Sequence, residues 1–291
     1  MKIVGLLKRV CGTTLPSLLL GCAMCGAAAE DRPIDGIMDN SFLVEEAYNQ
    51  ERGVVQHILT AFYNIQDLTG DGAEAWELSF TQEWPVFSQT HQFSYTIPYT
   101  FAGSRGRWRD GVGDVRLNYR YHAYLDKETL RAAAPRFSLV LPTGDAAEGF
   151  GDDTVGYEVN LPFSTAVGDR LAFHLNAGAT YLPDAAADPR RDLIHYNLGG
   201  SAIYAPADHF HLMLEWIGIF EHSVEPHEAR DREFVSMISP GVRKAFNFAN
   251  GAQLVLGVAV PVGLTSSAPD VGVFLYGSFE HFFTHSNEPE K

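Results

Sequence analysis

Beyond residue 25 the sequence contains no cysteine; Cys11, Cys22 and Cys25 are the only three in 291 residues. The body of the chain can therefore offer no disulfide, no thiolate nucleophile and no cysteine metal site. It also lacks the roughly 18 unbroken apolar residues that a membrane-crossing helix needs. The nearest candidate, 252–264, is too short and carries Pro261. Basic residues are scarce, with 21 Lys and Arg against 36 Asp and Glu for a net charge of −15, which speaks against a nucleic-acid partner. Gly-rich phosphate loops are absent too, and no cofactor is expected.

What is present begins with a leader. Lys2, Lys8 and Arg9 precede an apolar centre, Leu15 to Met24, and a small-residue exit, Ala27 to Ala29, so residues 1–29 read as a signal peptide cleaved after Ala29. Its removal deletes every cysteine and takes the net charge to −18. A rival reading treats Leu19-Leu20-Gly21-Cys22 as a lipoprotein site with Cys22 acylated; Leu20 fits that pattern poorly. Residues 30–53 form a lead-in, polar at first. Ser41, followed by Glu45 and stopped by Gly53, predicts a short helix or turn ahead of the first strand.

From Val54 the apolar period becomes two. Twelve strands are expected, near 54–64, 75–83, 90–100, 112–125, 135–142, 154–166, 170–181, 193–205, 209–221, 233–246, 252–263 and 271–283. Phe93, Tyr95, Ile97 and Tyr99 oppose Gln92, Ser94, Thr96 and Thr100; Val115, Leu117, Tyr119 and Tyr121 oppose Arg116, Asn118, Arg120 and His122. A strand of about ten residues rises roughly 33 Å, which a tilt of about 45° projects to about 23 Å, the height of an outer-membrane apolar band. The count is even, and the last strand ends on paired aromatics, Phe282 and Phe283. Long connections (65–74, 102–111, 143–153, 182–192, 222–232, 264–270) alternate with short ones; the connection 126–134 is too long for its place. Pro240 and Gly241 leave the tenth strand the least clear. The fold expected is all-β, a twelve-stranded antiparallel transmembrane barrel over 54–283 with a polar tail, 284–291. A secreted two-sheet sandwich also alternates and is the competing fold.

At the N-terminal segment the sequence resembles a family. Asn40-Ser-Phe-Leu-Val-Glu-Glu-Ala-Tyr-Asn-Gln-Glu-Arg-Gly-Val-Val-Gln-His57 is similar to the opening motif of the MetA-pathway phenol-degradation family, a group of outer-membrane barrels regarded as transporters. Gly111-Val-Gly-Asp-Val115, Leu141-Pro-Thr-Gly-Asp145 and Ser239-Pro-Gly-Val-Arg243 resemble its shorter motifs. The resemblance implies an outer-membrane location and passive transport of small solutes, with hydrophobic or aromatic ones pointed to by the family's name alone. It brings no catalytic residues. The partners expected are outer-membrane lipid and lipopolysaccharide, the barrel-assembly machinery and a small-molecule solute.

The candidate functional residues follow from parity. Glu45, Glu46, Asn49, Gln50 and Glu51 either fold back into the lumen against Arg116 and Arg120 as a plug, or form a periplasmic collar. His122, Glu158, His174 and His195, with Gln92, Asn160, Asn176 and Asn197, are expected to face the same lumen. They would line a solute path or pack as an inert polar core. His209 and His211 sit two apart but lack an evident third metal ligand, so no metal site is expected. Asp145, Glu148, Asp152 and Asp153 read as a solvated acidic loop, and Arg105, Arg107 and Arg109 as candidate contacts to lipopolysaccharide phosphates. His91 and Ser94 are three apart, on opposite strand faces, so they make no nucleophile–base pair. An enzyme is not expected; a lipid hydrolase and a non-conducting structural barrel remain the alternatives.

Overall fold

The computed structural model describes residues 41–65, 73–104, 107–186, 189–221 and 233–283. The leader 1–29, the first part of the lead-in and the tail 284–291 lie outside the described residues, as do His222 and His227.

The twelve barrel strands are β1 (Val54–Ile65), β2 (Glu74–Val86), β3 (Ser88–Ser104), β4 (segments Arg107–Val112, Val115–Tyr121 and Tyr124–Asp126), β5 (Arg131–Ala133 and Arg136–Leu141), β6 (Gly156–Asn160 and Phe163–Val167), β7 (Leu171–Ala185), β8 (Arg191–Ala207), β9 (Phe210–Glu221), β10 (Glu233–Asn247), β11 (Gln253–Ala259 and Val262–Gly263) and β12 (Val271–Phe282). Each pairs antiparallel with its sequence neighbours, and β12 closes on β1 from Val54↔Phe282 to Ile65↔Val271. No strand is left with an open edge, the condition for placing a sheet in hydrocarbon.

The side chains sort by parity. Outward positions are large, apolar and exposed, among them Leu59, Ile97, Phe137, Leu175, Leu214 and Leu275; inward positions are polar and buried, among them Gln56, Gln92, Asn118, Ser138, His174, Glu215 and Arg243. This is the inverse of a soluble sheet, in which the apolar face is covered and the polar face is wet. The sandwich alternative fails on that count, because among the described residues no second sheet covers the apolar side.

Three expectations about connections and local structure need correction. The connection 126–134 is not long: Tyr124–Asp126 and Arg131–Ala133 pair as a hairpin, leaving only residues 127–130, capped by the Asp126 carboxylate on the N–H groups of Glu128 and Thr129. Residues 102–104 and 107–111 are strand and not loop, because β3 and β4 stay paired out to Ser104↔Arg107. Of the short helix or turn expected ahead of the first strand, only the turn is present, at Arg52 and Gly53; 41–51 is a bent segment, because its backbone N–H groups are taken by lumen side chains instead. The acidic loop between β5 and β6 does contain a 3₁₀ turn, Ala146–Glu148, whose N-terminus is capped by Asp145.

Pro240 does not interrupt β10. Proline lacks an amide N–H and is tolerated where the neighbouring strand makes no demand for one. Strand β11 is itself broken at Val260 and Pro261 on that side, and Val260 donates its own N–H to the Pro240 carbonyl at 2.9 Å.

If this outward band faces lipid, Leu175→Arg, near the middle of β7, will lower the stability of the folded barrel in bilayers by about 2–4 kcal/mol. Thr96→Arg, on the lumen face, will cost far less. Urea titration of refolded variants in liposomes measures both.

Candidate functional site

The site is the lumen and the segment folded into it. Gly53 (φ 79) lets the chain reverse at the mouth of β1, where the Phe283 N–H bonds the Gly53 carbonyl at 3.0 Å. From there residues 52 to 41 run up the inside of the barrel. Val44, Ala47, Tyr48, Asn49 and Gln50 are all buried within it.

Side chains from most of the wall hold this segment. Gln92 accepts the Gln50 N–H at 2.7 Å, and Gln50 joins Gln56, which in turn donates to Glu280 at 2.8 Å. Asn49 donates to the carbonyls of Gln89 and Thr90. The Tyr48 hydroxyl donates to the Leu130 carbonyl and its ring stands edge-on to His174, while Ser164 accepts the Ala47 N–H at 2.8 Å and bonds His174 at 2.7 Å. Farther up, one carboxylate oxygen of Glu215 accepts three successive N–H groups, from Phe42, Leu43 and Val44, at 2.9–3.1 Å. A carboxylate facing consecutive amides gains from each of their dipoles, as an anion does in a backbone nest.

Arg120 is the hub. Its guanidinium, buried to 3% exposure, donates to Asn49 Oδ1 at 2.9 Å, to the carbonyls of Tyr48 at 2.8 Å and Glu46 at 3.1 Å, and pairs with the Glu46 and Glu45 carboxylates at 3.3 and 3.5 Å. Arg136 doubles the arrangement, reaching Glu45 at 2.9 Å and Glu158 at 2.6 Å. Asn160 also donates to Glu45, and Arg116 lies 3.5 Å from Glu158. A planar guanidinium with five fixed donors suits such a junction in a way an ammonium does not.

Two carboxylates of the segment titrate in opposite directions. Burial acts to raise Glu45, but Arg136, Arg120 and Asn160 outweigh it and hold the group below the usual carboxylate range. Burial drives Glu46 up to about 8; Arg120 pulls against that, and Glu83 adds to the rise. Arg120 is shared, so it cannot neutralise both acids fully.

The structure brings Glu45, Glu46, Asn49, Arg120 and Glu158 together, with Gln50 one level below. Glu51 is apart from them, at the short-turn rim beside Asn247, Phe248 and Glu280. Arg116 reaches Glu158 and not the segment. His122 and His174 are inward and lie lower in the lumen, away from the vestibule, and His195 lines the open part. His209 sits in the β8–β9 turn and His211 is buried against Arg243, so the two imidazoles do not converge. Arg105 is outside the described residues; Arg109 donates to the Glu148 carbonyl. Arg136, Ser164 and Glu215 were not singled out from sequence, although the inward parity of their strands marks all three.

Above the segment the lumen opens into a vestibule of about 1030 Å³, lined from Ser79, Thr81 and Glu83 across to Thr180 and Asn197 and reaching loop residues 149–152. Its floor is Phe42–Glu46 with Arg120 and Arg136. The cavity thus faces the side of the longer connections, with the segment lying between it and the short turns.

Comparison with known proteins agrees on the fold. No family model matches the sequence, and no curated protein matches it. Among solved structures, an outer-membrane channel of Pseudomonas putida F1 superposes with a TM-score of 0.63 at 14% identity, covering 81% of this chain and 98% of that one. The NanC porin (TM-score 0.47, 10% identity, 78% and 100% covered) and the KdgM porin in complex with oligogalacturonate (TM-score 0.44, 10% identity, 79% and 99% covered) are more distant.

Two outcomes follow. Arg120→Ala strands buried carboxylates and frees several segment carbonyls, a change worth about 3–5 kcal/mol, and will expose residues 41–52 to protease while the strands stay protected. Because Glu46 binds its proton more tightly docked than free, protons favour docking. That contribution is full below about pH 4.5 and is lost as pH rises through about 8. Protease access to the segment will therefore increase across this window, and Glu46→Gln will flatten the dependence.

Proposed function

We propose that the protein is an outer-membrane channel for small solutes whose lumen is closed on the short-turn side by residues 41–52. The observation that carries this reading is the placement of that segment: it is tied to nearly every side of the wall and floors a solvent-sized vestibule open at the other end. A collar would sit outside the barrel, at the rim, whereas Val44 and Ala47 are 2% and 0% exposed within it. The long-connection side faces outwards in barrels of this kind, so the vestibule would meet solute arriving from outside the cell.

The outer-membrane location rests on the closed barrel, its apolar outer band and its similarity in fold to the Pseudomonas putida channel, together with the leader read in residues 1–29. The resemblance of residues 40–57 to the phenol-degradation family supports hydrophobic or aromatic solutes as part of the range. On the same reading the outer band meets lipid and lipopolysaccharide, and assembly uses the barrel-assembly machinery. A lipid hydrolase finds little support: Ser164 and His174 are bonded to each other but fully buried beneath Tyr48.

Deleting residues 41–52 will raise single-channel conductance in planar bilayers several-fold over the full chain. Unchanged conductance with a heat-modifiable, intact barrel would leave the structural-barrel reading in its place. Lipid turnover blocked by a serine-reactive probe would favour the hydrolase.

A further inference from the structure

Among the described residues, the charges that line the vestibule are not balanced: seven carboxylates stand against four guanidiniums. The guanidiniums belong to Arg109, Arg116, Arg120 and Arg136, all on β4 and β5, and each already has a partner. Arg120 and Arg136 are bonded to Glu45, Glu46 and Glu158, Arg116 lies against Glu158, and Arg109 donates to a carbonyl. The carboxylates left over are spread from mouth to floor. Glu221 ends β9 at the rim; Asp114 and Asp152 meet below the β5–β6 loop, where Asp114 accepts the Gly144 and Asp152 N–H groups at 2.9 Å; Glu83 lies beside the floor. Glu77, on the inward face of β2 with Glu83, adds a fifth; it accepts from Asn64 at 2.9 Å.

An anion entering from the open side meets guanidiniums that carboxylates and carbonyls have already engaged. A cation meets carboxylates that accept from neutral amides, Glu77 from Asn64, Glu83 from Gln92 and Asp114 from two backbone N–H groups, with Arg120 and Arg136 acting on Glu83 from farther off. Low-dielectric walls around such a cleft focus the field and raise the local concentration of the opposite charge, with effects on encounter rates of about ten- to a thousandfold. Asp114 shares the β4 wall with the basic side chains, but Glu77 and Glu83 on β2 and Glu221 on β9 stand away from it, so the preference is also one of position. The β2 face, carrying Glu77, Ser79, Thr81 and Glu83, is the cation-attracting side.

We propose that the vestibule prefers cations, including organic ammonium compounds, over anions, with Glu77 and Glu83 of β2 and Glu221 at the rim as the residues that set this preference. The inference deepens the channel reading and rests on it for its role, but the field itself can be read whether or not the barrel conducts.

The test uses a single thiol. In the full chain, Cys11, Cys22 and Cys25 are replaced by alanine and Ser79→Cys is introduced. Ser79 lines the vestibule between Glu77 and Glu83, and its hydroxyl lies 2.9 Å from that of Thr60. Modification by a cationic and by an anionic methanethiosulfonate reagent is timed in refolded protein and compared with free cysteine. The cationic reagent is expected to be favoured about tenfold or more beyond the free-thiol ratio, and Glu77→Gln with Glu83→Gln will bring the ratio back towards that of free cysteine. A ratio equal to that of free cysteine, or tilted towards the anion, would overturn the proposal, as would a thiol that neither reagent reaches. Thr60→Cys, on the facing strand, repeats the reading if Ser79→Cys does not fold. Absence of solute flux alongside a cation-favouring ratio would instead count against the channel reading alone.

Discussion

Everything in this molecule depends on the pairing of β12 with β1. A sheet in hydrocarbon cannot leave an edge strand's N–H and C=O groups without partners, each costing several kcal/mol, so the chain must bring Val271–Phe282 back to Val54–Ile65 across the whole barrel. Closure then decides the rest. It fixes which residues face in and it limits the diameter to what twelve strands enclose. It also creates an interior too polar to collapse and too narrow to hold more than one additional stretch of chain. The bent segment 41–53 is that stretch.

The interior side chains meet a problem that a soluble core does not have. A guanidinium held at 3% exposure needs all its donors occupied, and the strands have no free carbonyls to give because the sheet consumes them. The inserted segment supplies what the wall lacks. Its carbonyls at Glu46 and Tyr48 and its Glu45 and Glu46 carboxylates satisfy Arg120, while its amides bond one oxygen of Glu215, Ser164 and Gln92. Neither wall nor segment would be satisfied dry without the other. This explains why the segment is bent and not helical, since a helix would consume internally the very groups that the wall requires.

The barrel was largely legible in the sequence, and the reason is period. Most strands repeat the apolar–polar alternation over about ten residues, so strand existence, number and inward parity could be read from Gln92, Arg116, Arg120 and their neighbours. Turn lengths were less legible. Sequence patterns do not show that Tyr124–Asp126 and Arg131–Ala133 remain paired beyond the membrane-height portion, so a tight turn looked like a loop of nine residues. The acidic segment was recognised as something apart from the strands, but its depth was not decided, because plug and collar differ only in tertiary contacts. Arg136, Ser164 and Glu215 went unselected for a related cause: parity points dozens of residues inward without ranking them. Only the path of the segment tells which of them it meets.

The character of those contacts bears on whether the closure is permanent. Neutral polar ties between segment and wall are each worth about 0.5–1.5 kcal/mol net, and those to charged groups about 1.5–3, since water entering the lumen would replace much of what is lost. Such a closure is firm in sum yet can be exchanged bond by bond. Phe42, Ala47 and Tyr48 are the exceptions, the last two packed in a buried apolar cluster with Ala132, Ala172, Ile203 and Met213. The Phe42 ring packs on Phe274 and Tyr276 at 5.7 and 5.0 Å, and a Cβ added at Gly257 would come within 2.3 Å of it, so the wall has been left open to admit this one side chain. Water cannot substitute for these contacts. The segment therefore has one apolar anchor in the upper wall at Phe42 and a second lower down at Ala47 and Tyr48, with the exchangeable polar ties of Glu45, Glu46, Asn49 and Gln50 set between and below them.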